Sequence, residues 1–360
     1  MRLRLAFLCA ATAFAQQSDP FPTLTSTIES TMRQRHIPGL AIGIVQNDKL
    51  VYSRGFGVMK TGDASRPVTP ETLFHMASIT KPFIATAVMQ LWEEGRIDLD
   101  APVEKYVSYF RLNDARYHSI TVRQMLSHIS GMPDVDDYRW NHPEYDESAL
   151  ERYVRSLSFQ KLRRDPGTKF AYSNMAYDVL GDLVAKVSGQ VLETYMDTHI
   201  LKPIGMVSST LLYRQADPAL LAAGHHVKGK KTTVVQFYPY NRAHTPSGNL
   251  HSNVGDMSRW AMANINRGEL DGARILKDST YEVMWKPAAE LASQVHVGIS
   301  WFLRDLRGTK AVFHSGGDDG FLTLLILFPE KKTAVVWMVN CDNSAGLSGI
   351  HDAAVAAALN

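Results

Sequence analysis

The sequence predicts an α/β fold of the α+β type, with an antiparallel sheet built from both ends of the chain and a mostly helical insertion. Strand-like runs occur near residues 40–56 and again over 296–339. Helical patterns and loops prevail between them. Strands at both ends with helices in the middle favour one shared sheet that is flanked by helices.

The first residues are typical of an export signal. Arg2 and Arg4 precede an apolar run over 5–13 that is broken only by Thr12, and the run ends in the small-x-small pattern of Ala13-Phe14-Ala15. This arrangement predicts a signal peptide over residues 1–15. The alternative, an uncleaved apolar helix, is too short to span a bilayer. We expect a secreted or periplasmic protein without a stable membrane anchor.

Charge and cysteine content limit the possible partners and folds. The chain carries 38 Lys and Arg against 36 Asp and Glu. Cleavage after Ala15 removes two arginines and leaves a formally neutral chain, which gives no electrostatic case for a nucleic-acid partner. Cys341 is then the remaining cysteine. The fold therefore depends on a buried core, which 45% hydrophobic residues can supply. The sequence leaves the oligomeric state open.

The N-terminal part of the sheet begins with a hairpin. Leu40–Val45 and Leu50–Phe56 are strand-like, and Asn47-Asp48 between them is a turn signal. A helix follows near Ser78, because Ile84, Ala87, Val88 and Leu91 form one apolar stripe at helical spacing. Pro82 suits the first turn of this helix, and Gly95 is a plausible end.

The rest of the chain divides into a helical middle and a sheet-forming end. The predicted elements are helices at Thr121–His128, Met175–Val187, Met257–Asn266 and Ala345–Leu359, and strands at His296–Leu303, Lys310–Phe313, Phe321–Phe328 and Thr333–Val339. We therefore divide the chain into a sheet domain of residues 16–100 and 245–360 and a helical insert domain of residues 101–244.

Ser78-Ile79-Thr80-Lys81 places a hydroxyl and an amine three residues apart at the start of a helix. Side chains at this spacing share a helix face, so the two groups can meet. A partly desolvated lysine can lose its proton and activate the serine as a nucleophile. An ordinary N-cap serine is the structural alternative.

Two further motifs carry groups that suit the same chemistry. Tyr172-Ser173-Asn174 lies where a loop enters a helix, and its tyrosine can move protons if a nearby cation lowers its pKa. His314-Ser315-Gly316-Gly317 lies at a predicted strand end, where glycines let a substrate approach the backbone. The amides of Gly317 and Ser78 can form an oxyanion hole. The structural alternatives are a core tyrosine with an N-cap asparagine and a glycine-rich turn.

The order Ser-x-x-Lys, Tyr-x-Asn and His-x-Gly resembles the penicillin-recognising serine hydrolases. Within them it is similar to the branch of class C β-lactamases, D-alanyl-D-alanine carboxypeptidases and esterases. The resemblance covers nearly the whole mature chain and implies a β-lactamase-like fold. It also implies an acylated Ser78, a proton shared by Lys81 and Tyr172, and an Asn174 that positions Lys81 and the substrate.

The resemblance implies a substrate class but not one substrate. His314 stands where class C β-lactamases carry a lysine, and histidine is mostly neutral at pH 7. We expect an ester, a D-amino-acid peptide or a β-lactam as substrate, and a small molecule or peptidoglycan fragment as partner. The alternative is a non-catalytic sensor of peptidoglycan or antibiotic on the same fold.

Other catalytic motifs are missing from the sequence. It contains no Gly-x-Ser-x-Gly and no His-Glu-x-x-His, which disfavours an α/β-hydrolase and a zinc peptidase. We expect no metal and no cofactor. Asp134-Val135-Asp136-Asp137 lacks the glycine and the spacing of a calcium loop, and we interpret it as a solvated acidic turn.

Overall fold

A computed structural model describes residues 19–62 and 65–360 of the chain. The predicted signal peptide, residues 1–15, lies outside the described residues. None of the helices in the described part is both long and apolar enough to cross a bilayer.

Strands from both ends of the chain form one eight-stranded sheet in the order β2-β1-β14-β13-β12-β11-β10-β9. Its centre joins the two chain ends, because β1 pairs antiparallel with β14, with Leu40 opposite Val339. The strands are β1 (Gly39–Gln46), β2 (Lys49–Gly57), β3 (Phe74–His75), β4 (His225–Lys228), β5 (Lys231–Val234), β6 (His251–Ser252), β7 (Glu269–Leu270), β8 (Ala273–Arg274), β9 (Ala289–Ala292), β10 (Val295–Val297), β11 (Phe302–Leu306), β12 (Thr309–Asp318), β13 (Phe321–Phe328) and β14 (Thr333–Val339).

Helices cover both faces of this sheet. On one face, α1 packs against α10, and on the other face α8 packs against β1 and β14. The helices are α1 (Pro22–Arg35), α2 (Thr80–Glu93), α3 (Val122–Leu126), α4 (Ala149–Ser156), α5 (Asn174–Ser188), α6 (Leu192–Met196), α7 (Thr245–Gly248), α8 (Val254–Ile265), α9 (Asp278–Met284) and α10 (Leu347–Leu359).

The alternation of side chains along the central strands feeds two separate hydrophobic cores. Ala41, Leu325 and Val336 belong to the larger core, which also contains the buried faces of α2, α5 and α8. Leu324 and Trp337 point the opposite way and join the smaller core under α1 and α10. The larger core thus connects the sheet to the helices that carry the predicted motifs.

The fold class predicted from the sequence is confirmed, including the first hairpin and the last three strands. The prediction of one strand over His296–Leu303 is wrong, because the chain turns back there and His296 of β10 pairs with Leu303 of β11. Tertiary hydrogen bonds cause the reversal: Ile299 N donates to Met284 O at 2.8 Å, and Ser300 N donates to Leu126 O at 2.9 Å.

Two features lie outside the sequence predictions. Helix α1 was not predicted, and its apolar side is buried through Leu24, Ile28 and Met32. The small hairpin of β4 and β5 interrupts the stretch expected to be helical. The division into residues 16–100 with 245–360 and residues 101–244 stays a prediction.

Candidate active site

The site centres on the start of α2. Ser78 lies in a turn of 3₁₀ helix, Ala77–Ile79, directly before α2 begins at Thr80. Ala77 adopts a φ of 48°, which is strained for a residue with a side chain. The first N–H groups of a helix have no intrahelical acceptor, so the Ser78 amide is available to a ligand. Ser78 is only partly buried, and it can therefore meet a substrate.

The Lys81 side chain is fully buried beneath Ser78. Its Nζ donates to Ser78 Oγ at 3.0 Å, to Asn174 Oδ1 at 2.5 Å and to the Ser247 carbonyl at 2.6 Å. Burial lowers the pKa of Lys81 to about 7, although the carboxylates of Asp178, Asp134 and Asp318 oppose the shift. The amine is therefore poised to exchange a proton near neutral pH.

Asn174 is held by Asp134, an acidic residue to which the sequence gave no role at the site. Asp134 Oδ1 accepts hydrogen bonds from Asn174 N at 2.8 Å and from Asn174 Nδ2 at 2.9 Å. These bonds fix the amide so that its oxygen faces Lys81. The interpretation of residues 134–137 as a solvated turn fits the exposed Asp136 and Asp137, but Asp134 departs from it, because it is partly buried and bonded to Asn174. No local pattern marks it, because its partner lies 40 residues away.

Tyr172 lies beside the nucleophile, close enough for the Ser78 side chain to influence the Tyr172 pKa. Lys81 Nζ lies 5.0 Å from the centre of its ring. Burial raises the pKa of Tyr172, and the neighbouring Ser78 side chain offsets only part of this shift. The sequence made proton transfer by Tyr172 conditional on a nearby cation that lowers its pKa, and this condition is not met, because desolvation dominates. Tyr172 is a neutral phenol at pH 7.

The ring of His128 packs against the ring of Tyr172. The two rings are stacked with centroids 4.2 Å apart and planes 22° apart. His128 Nδ1 accepts a hydrogen bond from Ser173 N at 3.2 Å, and His128 O accepts one from Ala171 N at 2.7 Å. These hydrogen bonds therefore fix the backbone on both sides of Tyr172. The sequence placed His128 at the end of a predicted helix and gave it no role at the site.

Strand β12 brings His314 to the same site. His314 is buried, and its Nδ1 donates to the Ser315 carbonyl at 2.7 Å. Burial, together with the charge of Lys81, lowers the pKa of His314 to about 3. The ring is therefore neutral at pH 7, as the sequence predicts. It differs from an exposed turn histidine in being locked into the protein interior.

The register of β12 directs the Gly317 N–H away from β13. Asp318 and Phe321 flank a two-residue turn and form the closing pair of the β12–β13 hairpin. Pairs alternate along an antiparallel ladder, so the backbone groups of Gly317 point away from β13. On that side β11 pairs with β12 only as far as Phe302 opposite Phe313. The Gly317 N–H is consequently free to bind a substrate oxygen.

Gly316 and Ser315 are placed differently from what the sequence suggests. A Cβ on Gly316 would lie 2.4 Å from Met76 O and 2.4 Å from Thr323 Oγ1, so this glycine admits the protein backbone rather than a substrate. The exposed side chain of Ser315 lies on the face of β12 that is turned away from His314. Ser315 is the cross-strand partner of Leu324, which belongs to the smaller core. The structure thus gathers Ser78, Lys81, Tyr172, Asn174, His314 and the Gly317 amide, but does not place the Ser315 side chain beside Lys81.

The fold and the pairing of Ser78 with the buried Lys81 define a β-lactamase-like serine hydrolase. The sequence model of the Beta-lactamase family matches residues 24–360. The chain belongs to this family. The described residues contain no group of three or more His, Cys, Asp or Glu side chains suited to a metal ion.

Two solved structures share the fold. An octameric penicillin-binding protein homologue from Pyrococcus abyssi superposes with a TM-score of 0.79 and 30% identity, over 93% of this chain and 76% of that one. A class C beta-lactamase also superposes with a TM-score of 0.79, over 96% of this chain and 98% of that one. Its 20% identity supports a common fold alone.

Named relatives extend beyond the matched region. Protein flp of Staphylococcus aureus is 28% identical over 91% of this chain. The unguisins hydrolase ungD' of Aspergillus campestris is 26% identical over 89% of this chain. The chain spans 64% of the length of the first relative and 62% of the second.

Proposed function

We propose that this protein hydrolyses an ester or amide carbonyl through an acyl-enzyme on Ser78. The observation that carries the proposal is the pair formed by Ser78 Oγ and the buried Lys81 Nζ, 3.0 Å apart. A neutral amine has two N–H donors and one lone pair. Asn174 Oδ1 and the Ser247 carbonyl accept both donors. The lone pair is then directed at the Ser78 hydroxyl, from which it can take the proton.

The remaining groups have roles that follow from their positions. The amides of Ser78 and Gly317 stabilise the negative charge that develops on the carbonyl oxygen. Tyr172, as a neutral phenol beside Ser78, donates a proton towards the departing group and recovers it from Lys81. In the second half of the reaction the same pair deprotonates the water that attacks the acyl-enzyme. Each proton taken from a nucleophile is returned to a leaving group.

Charge at the site favours substrates without a carboxylate next to the scissile bond. Lys81 is fully buried and His314 is buried and neutral, so neither presents an exposed positive charge. A β-lactam or a D-alanyl-D-alanine terminus carries a carboxylate, which an exposed positive charge would bind more strongly than neutral groups do. We therefore propose esters or amides with a neutral group at this position, and β-lactams as poor substrates.

The test is a panel of p-nitrophenyl esters, nitrocefin and D-alanyl peptides, run on the wild type and on Ser78→Ala. We expect ester hydrolysis to be fastest, with a mass increase on Ser78 equal to the acyl group. Ser78→Ala that keeps more than about a tenth of the wild-type rate would contradict the nucleophile assignment. A wild type inert to all substrates that still binds peptidoglycan fragments would favour the sensor alternative instead.

We also propose that the protein is exported, on the strength of the signal pattern in residues 1–15. N-terminal sequencing of the protein from a bacterial host tests this. Cleavage after Ala15 and recovery outside the cytoplasm are the expected results. An intact N-terminus in the cytoplasmic fraction would oppose it.

A further inference from the structure

The two proposed oxyanion donors belong to parts of the chain that no local structure connects. Ser78 lies in the turn before α2, and Gly317 lies near the end of β12. An oxyanion hole works only when both N–H groups reach the same oxygen, within about 2.7–3.1 Å. Their spacing must therefore be set by tertiary contacts.

A hydrogen bond between His75 and Asp318 connects the segments on either side of the hole. His75 Nε2 and Asp318 Oδ2 lie 3.0 Å apart. His75 precedes Ser78 by three residues, and Asp318 directly follows Gly317. An ionised carboxylate only accepts hydrogen bonds, so His75 Nε2 carries the proton and donates it. We propose that His75 and Asp318 are positioning residues, which keep the amides of Ser78 and Gly317 at the spacing that lets both bind one oxygen.

The His75 ring is well fixed for such a role. Its side chain is fully buried. Phe321, Tyr238 and His251 surround it, with ring centroids 5.6 Å, 6.0 Å and 5.6 Å away. In β3, His75 also pairs with His251 of β6. A ring held on several sides cannot follow a displaced Asp318, so the bond resists movement of the turn that contains it.

Two neighbouring contacts fix one side of Gly317, whereas the position of the β12–β13 turn on its other side depends on further contacts. Thr323 Oγ1 donates to Met76 O at 2.9 Å, and Gly316 lies against the same carbonyl. Both contacts fix the parts of β12 and β13 that lie on the side of Gly317 away from the turn. The residues after Gly317 form a two-residue turn, in which Gly320 has a φ of 78°. Two hydrogen bonds hold the turn side of Gly317: His225 N donates to Gly320 O at 3.4 Å, and the His75 ring bonds the Asp318 side chain directly next to Gly317.

A competing role for Asp318 is direct binding of a cationic substrate group, because its side chain is 18% exposed. The two roles differ in what they require. Positioning needs a hydrogen-bond acceptor at residue 318 and a donor at residue 75. Cation binding needs the negative charge of Asp318 and is indifferent to His75. Asp318→Asn separates them, since asparagine keeps an acceptor and loses the charge.

The proposal rests on the acyl-enzyme function proposed above, and the test uses p-nitrophenyl acetate for kcat and KM and phenylboronic acid as a tetrahedral mimic. We expect His75→Phe and Asp318→Ala each to lower kcat by about 10- to 100-fold with little change in KM. The affinity for phenylboronic acid should fall by a similar factor in each of these variants. The double variant should be no worse than either single variant, and Asp318→Asn should stay within about threefold of the wild type.

Asp319→Asn, on the same turn, is the matched control and should leave all three quantities unchanged. Should Asp318→Ala not fold, the comparison of His75→Phe with Asp318→Asn still decides. The proposal is overturned if the effects of the single variants multiply, if they act on KM alone, or if Asp318→Asn loses as much as His75→Phe. A wild type no more active than Ser78→Ala would instead sink the proposed function, and this inference with it.

Discussion

Asn174 Oδ1 accepts a hydrogen bond from Lys81 Nζ at 2.5 Å, and the orientation of that amide is set by Asp134. The carboxylate of Asp134 has two separable effects on Lys81. It fixes Asn174 through two hydrogen bonds, and its charge raises the pKa of Lys81 against the larger effect of burial. Substitutions at Asp134 can distinguish geometry from charge.

We expect Asp134→Asn to keep most of kcat and to move the pH profile of kcat/KM to lower pH, because asparagine retains an acceptor but not the charge. Asp134→Ala should lower kcat by about tenfold or more, since the backbone N–H and the side chain of Asn174 both lose their acceptor. Steady-state rates from pH 5 to about 9 measure both effects. An unchanged profile in Asp134→Asn would argue against electrostatic coupling to Lys81.

The activity of the wild type should rise with pH through about 7. The folded environment lowers the pKa of Lys81 to about 7, and only the neutral amine can take the Ser78 proton. Lys81→Ala should remove nearly all turnover, because nucleophile and base act as one unit. Activity independent of pH between 6 and about 8, or more than a tenth of the wild-type rate in Lys81→Ala, would contradict the base assignment.

Gly316→Ala and Gly317→Ala should differ sharply in stability and in kcat although the two residues are adjacent. A methyl group on Gly316 meets Met76 O and Thr323 Oγ1 at 2.4 Å, whereas one on Gly317 meets only Leu322 Cδ2 at 3.3 Å. We expect Gly316→Ala to cost about 1–3 kcal/mol of stability and to push β12 away from Ser78. Gly317→Ala keeps its N–H and should cost less than about 1 kcal/mol. Urea unfolding and kcat test the contrast, and equal losses would refute it.

Buried neutral histidines should make the protein sensitive to acid. The pKa values of His314 and His251 are lowered to about 3, chiefly by burial. The unfolded chain binds these protons below about 6.5, and the folded protein does not bind them until about 3. The free energy of unfolding therefore falls as the pH drops through this window, by up to about 1.4 kcal/mol per pH unit for each histidine.

Replacing one of these histidines should flatten that dependence. We expect His314→Gln to reduce the slope between pH 6 and about 4 by about 1.4 kcal/mol per pH unit. The measurement is chemical denaturation at a series of pH values. His142→Gln, at an exposed position, is the matched control. A slope that stays the same in His314→Gln would mean that His314 is not neutral and buried in the folded state.

Much of the fold and the central pair followed from local patterns. The alternation and turn signals around Asn47-Asp48 gave β1 and β2, and the apolar stripe after Ser78 gave α2. The spacing of Ser78 and Lys81 gave their contact, because three residues on a helix bring side chains to one face. The long last strands were similarly readable, since β13 and β14 are apolar apart from Thr323 and Thr333.

The remaining features depend on partners far away in the chain. The break between β10 and β11 is set by Met284 and Leu126, and the raised pKa of Tyr172 is set by burial rather than by the adjacent amine. The sequence by itself determined which groups could react. Only the tertiary structure decided which of them are desolvated, held and aimed together, because burial and hydrogen-bond geometry are sums over neighbours that local sequence does not contain.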